Sequence, residues 1–249
     1  MIRVIHIMWL RQLKRYWRSR ARMIGTLGQP VLFLIAFGFG FGPVFEKAGS
    51  GDYLSFLAPG VVAMSILFTA MFSGIEVIWD RRFGFLKETL VAPVPRWVIM
   101  TGRTLGGATV AFLQGIVVTL ISMAVGFRFA PGASFLLAMV FMALIALLFT
   151  ALGTAIASRL EDMQAFPLIM NFLIMPIFFL SGALFPLEGL PKGLEVVTRL
   201  NPLTYGVDGL RGALTGVTHL GFGLDLVVMA AVAVVIGAFG TYMFSKIEV

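Results

Sequence analysis

Six stretches of this chain run for about 20 residues with almost no charge, and no other feature limits the fold as tightly. They cover residues 23–44, 56–78, 105–127, 135–157, 165–184 and 224–244. A helix of that length just crosses the roughly 30 Å hydrocarbon core of a bilayer. Inside hydrocarbon the backbone must satisfy its own hydrogen bonds, and a helix does so within one segment. The expected fold is therefore an all-α membrane protein with six transmembrane helices in a single domain, 1–249. Pro30, Pro167 and Pro176 fall inside these stretches and predict local kinks, in the fifth above all. Composition agrees: 59% of residues are hydrophobic, mean hydropathy is +0.97, and 12% are charged. A soluble domain carries roughly a quarter charged residues.

The net charge of +7 does not indicate nucleic acid. Seven of the 19 Lys and Arg lie in the first 22 residues, and most of the others fall in gaps between apolar runs. With six spans, Arg3, Arg11, Lys14, Arg15, Arg18, Arg20, Arg22, Arg81, Arg82, Lys87, Arg96, Arg103, Arg159 and Lys246 share one side. Lys47, Arg128, Lys192, Arg199 and Arg211 occupy the other. Fourteen against five places both termini in the cytoplasm and the chain as a multi-pass protein in the cell inner or plasma membrane. The first apolar run is too long for a signal-peptide core, and no A-x-A-like site follows Val44.

Residues 1–22 read as an amphipathic helix. Ile5, Met8, Trp9, Leu13 and Tyr16 fall on one arc, and Arg11, Lys14, Arg15, Arg18 and Arg22 on the other, with Arg20 the exception. Such a helix is expected to lie flat on the cytoplasmic leaflet. Residues 79–104 form the longest cytoplasmic connection. There Phe83, Leu86 and Leu90 recur at helical spacing with Lys87 on the same side, and Pro93 and Pro95 end the helix. An exposed apolar face beside the membrane implies a partner, either lipid or protein.

Residues 185–223 are too polar to span and too apolar for a solvated loop. Leu190, Leu194, Val197 and Leu200 form one short stripe, and Leu203, Val207, Leu210 and Leu214 another. Both suit short helices on or in the outer leaflet, as an outer gate or as a plain cap on the bundle. Glu76 is the acidic residue placed within a proposed span, near its cytoplasmic end, and none is placed at mid-membrane. That argues against ion-coupled transport and against an ionic substrate held there. Phe68, Phe72, Phe166, Phe172, Phe178 and Phe179, with Met71, Met170 and Met175, offer an adaptable apolar path or simple packing. Gln114 and Asn171 are the mid-span amides, with interhelical hydrogen bonding as their default role.

The chain has no Cys, and His6 and His219 stand far apart, so no metal site is expected. No G-x-x-x-x-G-K-[ST] phosphate loop occurs. Gly102–Gly106 spacing suggests close helix packing. An integral-membrane lipid-modifying enzyme would need clustered carboxylates, a metal motif or a nucleophile–base pair, and Asp80 and Glu88 have no His beside them. An ATP-independent carrier would call for intramembrane charge and an inverted repeat.

Asp80-Arg81, Gly84, Lys87-Glu88, Leu90, Pro93 and Arg96, followed by Gly102 and Gly106-Gly107, resemble the cytoplasmic motif of type-2 ABC exporter permeases. A second match runs from Leu180-Ser181-Gly182 and Phe185-Pro186 to Asn201-Pro202-Leu203-Thr204-Tyr205, Asp208 and Arg211. The multidrug branch, such as daunorubicin-resistance permeases, is the most similar. The resemblance implies that residues 79–104 carry a coupling helix, with Arg81, Gly84, Phe85, Lys87, Glu88, Pro93 and Arg96 serving ATPase contact or coupling-helix geometry. It also implies short re-entrant helices at the outer gate, with Asn201, Pro202, Tyr205, Asp208 and Arg211. The implied function is ATP-driven export of hydrophobic or amphiphilic compounds by alternating access. Polysaccharide or lipid-linked glycan export is the alternative within transport. The implied partners are two copies of a separate ABC ATPase subunit, a second permease copy and membrane lipid. No cofactor is expected on this chain, since ATP and Mg would sit on the ATPase.

Overall fold

A computed structural model describes residues 1–47, 52–91, 93–160, 162–187, 189 and 191–246. All regular structure among them is helical: α1 (Ile2–Arg18), α2 (Arg20–Lys47), α3 (Tyr53–Phe72), α4 (Ile75–Arg82), α5 (Phe85–Val91), α6 (Arg96–Val125), α7 (Phe135–Ala157), α8 (Ala165–Phe179), α9 (Lys192–Leu200), α10 (Pro202–Thr215) and α11 (Phe222–Ser245). Five helical segments are long and apolar enough to cross a membrane: α2, α3 continued by α4, α6, α7 and α11. A helix that is apolar all round must be surrounded by apolar matter, whether protein or lipid. The central helix, α3, is buried over 78% of its most apolar stretch, against 11% for α2 and α11. Around α3 pack α2, α6, α7, α8 and α10.

Small residues allow these helices to approach closely. A Cβ on Gly153 of α7 would strike the backbone at Met71, and one on Gly74 would strike the backbone at Gly153, so the end of α3 meets α7 in backbone contact. A tight turn at Ser73-Gly74 separates α3 from α4 at that contact. The expected second span, 56–78, is thus two helical pieces. The connection between spans is also shorter than expected. Residues 79–82 complete α4, and α6 begins at Arg96, which leaves α5 and its flanks as the whole of the linker.

The expected fifth span, 165–184, is not continuous. Its helix, α8, has 15 residues, about 22 Å of rise, and is short of the hydrocarbon thickness. Gly182, at φ +74°, turns the chain where an L side chain is strained. The returning strand of backbone is buried against α3: Tyr53 Oη donates to the Leu184 carbonyl at 3.0 Å, and Gly60 leaves no room for a Cβ beside Ala183.

The α1 helix is seated on α6. Its contacts with α6 advance in step: Ile5 and Met8 at Gly102, Trp9 and Gln12 at Gly106, Tyr16 at Gln114. The axis of α1 therefore runs along α6 over this stretch. Gly102 and Gly106 form the seat, since a Cβ there would come within 2.7 Å of Met8 and 2.6 Å of Gln12. Trp9 Nε1 donates to Thr109 Oγ1 at 3.0 Å and Tyr16 Oη to Gln114 Oε1 at 2.9 Å, giving α1 polar partners that headgroups would otherwise supply.

Candidate functional site

Two polar clusters stand at opposite ends of the bundle. The first joins α1, α2, α4 and α6. Asp80, on α4, is buried and accepts a forked pair from Arg11 at 2.7 and 2.8 Å. Arg103, buried on α6, donates to Asp80 Oδ2, the oxygen that also accepts from Arg11 Nη1. One helical turn along α4, Glu76 is buried and accepts from Arg15 at 3.3 Å and Arg22 at 3.0 Å. Arg15 also lies 3.6 Å from Asp80. A charge taken out of water needs a partner, and forked Arg–carboxylate pairing is the strong form. The Arg11 pKa is raised above its ordinary value, first by the hydrogen bond to Asp80 and against its partial desolvation.

The basic arc of α1 is therefore not wholly solvated, contrary to the helical-wheel expectation: Arg11 and Arg15 turn inward to acids on α4. Nor is Glu76 the one acid in a spanning helix, since Asp225 sits in the first turn of α11, fully buried. Asp80 belongs to the motif that carries the resemblance, but no motif marks the residues gathered with it: Arg11, Arg15 and Arg103, which it pairs with, and Glu76 with Arg22. Only an acid isolated in an apolar run hinted at them.

From this cluster the chain passes into α5. Gly84, at φ +81°, is the left-handed residue that ends α4 and lets α5 start at once. A Cβ on it would meet nothing within 4 Å, so its constraint is conformational, not steric. Phe85 lies under Arg11, whose Cζ is 3.7 Å from the ring centroid. Leu86 is fully buried, so of the expected exposed stripe it points into the protein, while Phe83 is 77% exposed. The Leu90 side chain lies outside the described residues. Lys87, Glu88, Val91 and Pro93 are exposed with Phe83.

Arg81 donates to the Ser158 and Leu160 carbonyls at 2.8 and 3.3 Å, just beyond the end of α7. Arg96 donates to the Ser245 carbonyl at 2.6 Å, at the end of α11. Both guanidinium groups thus cap helix C-termini, where a cation satisfies orphan carbonyls and the helix dipole.

The second cluster surrounds α10. Asn201 caps α10 by accepting from Leu203 N at 3.0 Å, and its Nδ2 donates to the Ile177 carbonyl of α8 at 2.6 Å. Pro202 takes the first helical position, where its missing N–H is harmless. Tyr205 Oη donates to the Arg199 carbonyl at 2.8 Å. Asp208 accepts from the backbone N–H of His219 at 3.0 Å and of Leu220 at 2.8 Å. Arg211 donates to the Gly182 carbonyl at 2.8 Å and the Phe56 carbonyl at 3.3 Å, with its Cζ 3.9 Å from the Phe56 centroid. Burial lowers its pKa to about 10, partly countered by Asp208, and it stays charged at neutral pH.

The stripe Leu203, Val207, Leu210 and Leu214 is fully buried, so α10 is part of the core. The α9 stripe is open: Leu194, Val197 and Leu200 are exposed, and Leu190 lies outside the described residues. Between these parts is a cavity of about 310 Å3, whose lining includes Glu195, Arg199, Asp208, Arg211 and His219.

The proposed apolar path divides into three. Phe166, Phe178, Met71 and Met170 are core; Phe172, Phe179 and Met175 face outward. Phe68 and Phe72 line a cavity of about 220 Å3 between α2 and α3, with Arg22, Gln29, Ser65 and Thr69. Gln114 bonds to Tyr16 of α1, and Asn171 is exposed.

Membrane-length helices around a buried core, with a charge cluster at one end leading into an exposed short helix, define a polytopic α-helical membrane protein. The chain belongs to the ABC-2 type transporter family, whose profile matches residues 3–215. Among its relatives, Nodulation protein J of Rhizobium leguminosarum bv. trifolii is 30% identical over 80% of this chain and 77% of its own. The inner membrane transport permease YadH of Escherichia coli is 28% identical over 85% and 83%. A putative transport permease, ycf38, of Porphyra purpurea is 30% identical over 78% and 68%. The chain is accordingly a membrane permease subunit of an ABC transporter, and the family implies an ABC ATPase partner in general.

Proposed function

We propose that this chain is the permease of an ATP-driven exporter, and that α5 receives the motion of a separate ATPase. It sits in the cell inner or plasma membrane with both termini cytoplasmic. Two permease copies pair with two ATPase subunits, which hold the ATP and Mg. The observation that carries the reading is the two-sided construction of α5. Phe83, Lys87, Glu88 and Val91 face outward, while Phe85 and Leu86 are fixed inward against Arg11 and the bundle. A push on the exposed side reaches Asp80 through Arg11, and from Asp80 reaches α1, α4 and α6 together. The bundle then exchanges an inward opening for an outward one.

The mixed Phe, Met and Thr lining between α2 and α3 suits hydrophobic or amphiphilic cargo. A second reading, glycan export, draws support from the outer cavity, whose acids and bases suit a hydroxyl-rich chain. The test is to purify the chain with its cognate ATPase from the native host and compare wild type with F83D and with E88R. Export and ATPase co-purification are expected to fall together while the permease stays folded. Export that persists with no ATPase attached overturns the proposal, and stimulation by oligosaccharides but not by lipophilic compounds selects the second reading.

A further inference from the structure

A groove of about 600 Å3 runs between the end of α1, the start of α2 and the middle of α6. Its volume lies within the roughly 300–1,000 Å3 of ordinary ligand sites. One side is apolar: Leu13, Leu27, Leu113, Ile116 and Val117 line it, with Trp17 at 73% exposed. The other carries Lys14 and Arg18, and no acidic side chain lines the groove. The neighbouring cations Arg11, Arg15 and Arg22 are turned away to Asp80 and Glu76. Among the described residues, neither Lys14 nor Arg18 enters an ion pair. On α1 itself the inward Arg11 and Arg15 are paired with acids, while the outward Lys14 and Arg18 are not. A third feature lies beneath the groove. Gln114 lines it, is 3% exposed, and gives its Oε1 to Tyr16, yet its Nε2 has no partner among the described residues.

We propose that this groove binds one anionic phospholipid from the leaflet at the α1 end of the bundle. Its acyl chains lie along Leu27, Leu113, Ile116 and Val117, and its phosphate sits between Lys14 and Arg18. Charge decides the occupant: a zwitterionic lipid fits the apolar wall equally but brings its own cation to two fixed ones. An aromatic at the rim suits the headgroup level, where indole rings collect. The site is distinct from the α2–α3 cavity and does not depend on the identity of the exported compound.

The test is native mass spectrometry of the purified full chain in mild detergent. Palmitoyl-oleoyl phosphatidylglycerol, the matching phosphatidylcholine and free glycerol 3-phosphate are supplied as separate arms. The expected result is one phosphatidylglycerol retained per chain, at least tenfold over phosphatidylcholine, with no retention of glycerol 3-phosphate. K14Q/R18Q is expected to reduce phosphatidylglycerol affinity roughly 30-fold, from two headgroup contacts. K14R/R18K keeps the charge and is expected to keep the preference. V117W, which fills the groove and leaves both cations, is expected to release the lipid. Equal retention of the two lipids overturns the proposal in wild-type protein alone, without recourse to any variant. So does a preference that survives K14Q/R18Q. Binding of glycerol 3-phosphate as tight as that of phosphatidylglycerol overturns it too, leaving an anion site without a lipid.

Discussion

The two polar clusters are built from the same kinds of residue but fastened differently. At the α1 end, side chain meets side chain: Asp80 and Glu76 hold four arginines from three other helices. At the α10 end, side chain meets backbone: Asn201, Tyr205, Asp208 and Arg211 grip carbonyls and amides of α8, α9, α3 and the turn before α11. Pairs of charged side chains on separate helices can re-form in a second arrangement as the helices shift. Bonds to backbone re-form less readily, because a carbonyl or amide fixed at a helix end or turn needs a new partner once displaced. The first cluster is suited to transmit motion, the second to resist it.

The largest expected effect tests the inner cluster. D80N leaves Arg103 buried with no carboxylate, and breaking a buried pair costs about 3–5 kcal/mol. A large loss of monodisperse protein in a thermal or detergent-challenge assay is expected. D80N/R103M should recover most of it, because the orphaned charge leaves with its partner. If D80N is as stable as wild type, the inner cluster is not holding the helices together.

R211M is next. It removes charge-assisted bonds to the Gly182 and Phe56 carbonyls, worth about 1.5–3 kcal/mol each when the acceptor is left bare. Faster proteolysis around residues 180–187 is expected, with α1 still protected. G106L overpacks the seat of α1, at about 1–3 kcal/mol. Here the opposite pattern should hold: α1 becomes cleavable and the α10 end stays intact. Cleavage at both ends in either variant would mean that the clusters are one cooperative unit.

Alkaline titration separates the two guanidinium groups. Arg211 has a folded pKa of about 10, below the ordinary arginine value, so the unfolded chain holds that proton longer. Its burial therefore opposes folding at neutral pH, and that penalty is relieved as pH rises above about 10. Arg11 is shifted the other way, so its pairing favours folding below its ordinary value and is lost only above it. The R211M curve should separate from wild type above about pH 10, and the R11M curve, in the opposite sense, only above the ordinary arginine value. The smallest effect on stability belongs to E88R, within about 0.5 kcal/mol for an exposed position, while transport is lost.

Four of the six expected spans needed little correction, and 135–157 coincides with α7. The failures share a cause. α8 stops at Phe179 because Gly182 turns the chain back onto α3, and hydropathy cannot see a turn made of apolar residues. The cations of α1 fill one arc, but a wheel does not show which of them have acids waiting on another helix. Likewise, the motif residues Arg81, Arg96 and Asn201 were legible as a set, while the carbonyls they hold belong to helices far along the chain.

The sequence by itself determined the solvent, the helices and the family. Long uncharged runs have one physical solution in a bilayer, and a local pattern is enough to specify it. Tertiary structure alone decided which charges are spent inside the protein and which remain at its surface. Asp80 meets Arg11 and Arg103 from two other helices, whereas Lys14, on the helix of Arg11, faces out. The choice depends on distances between segments remote in the chain, and the energy of a buried charge turns on those distances.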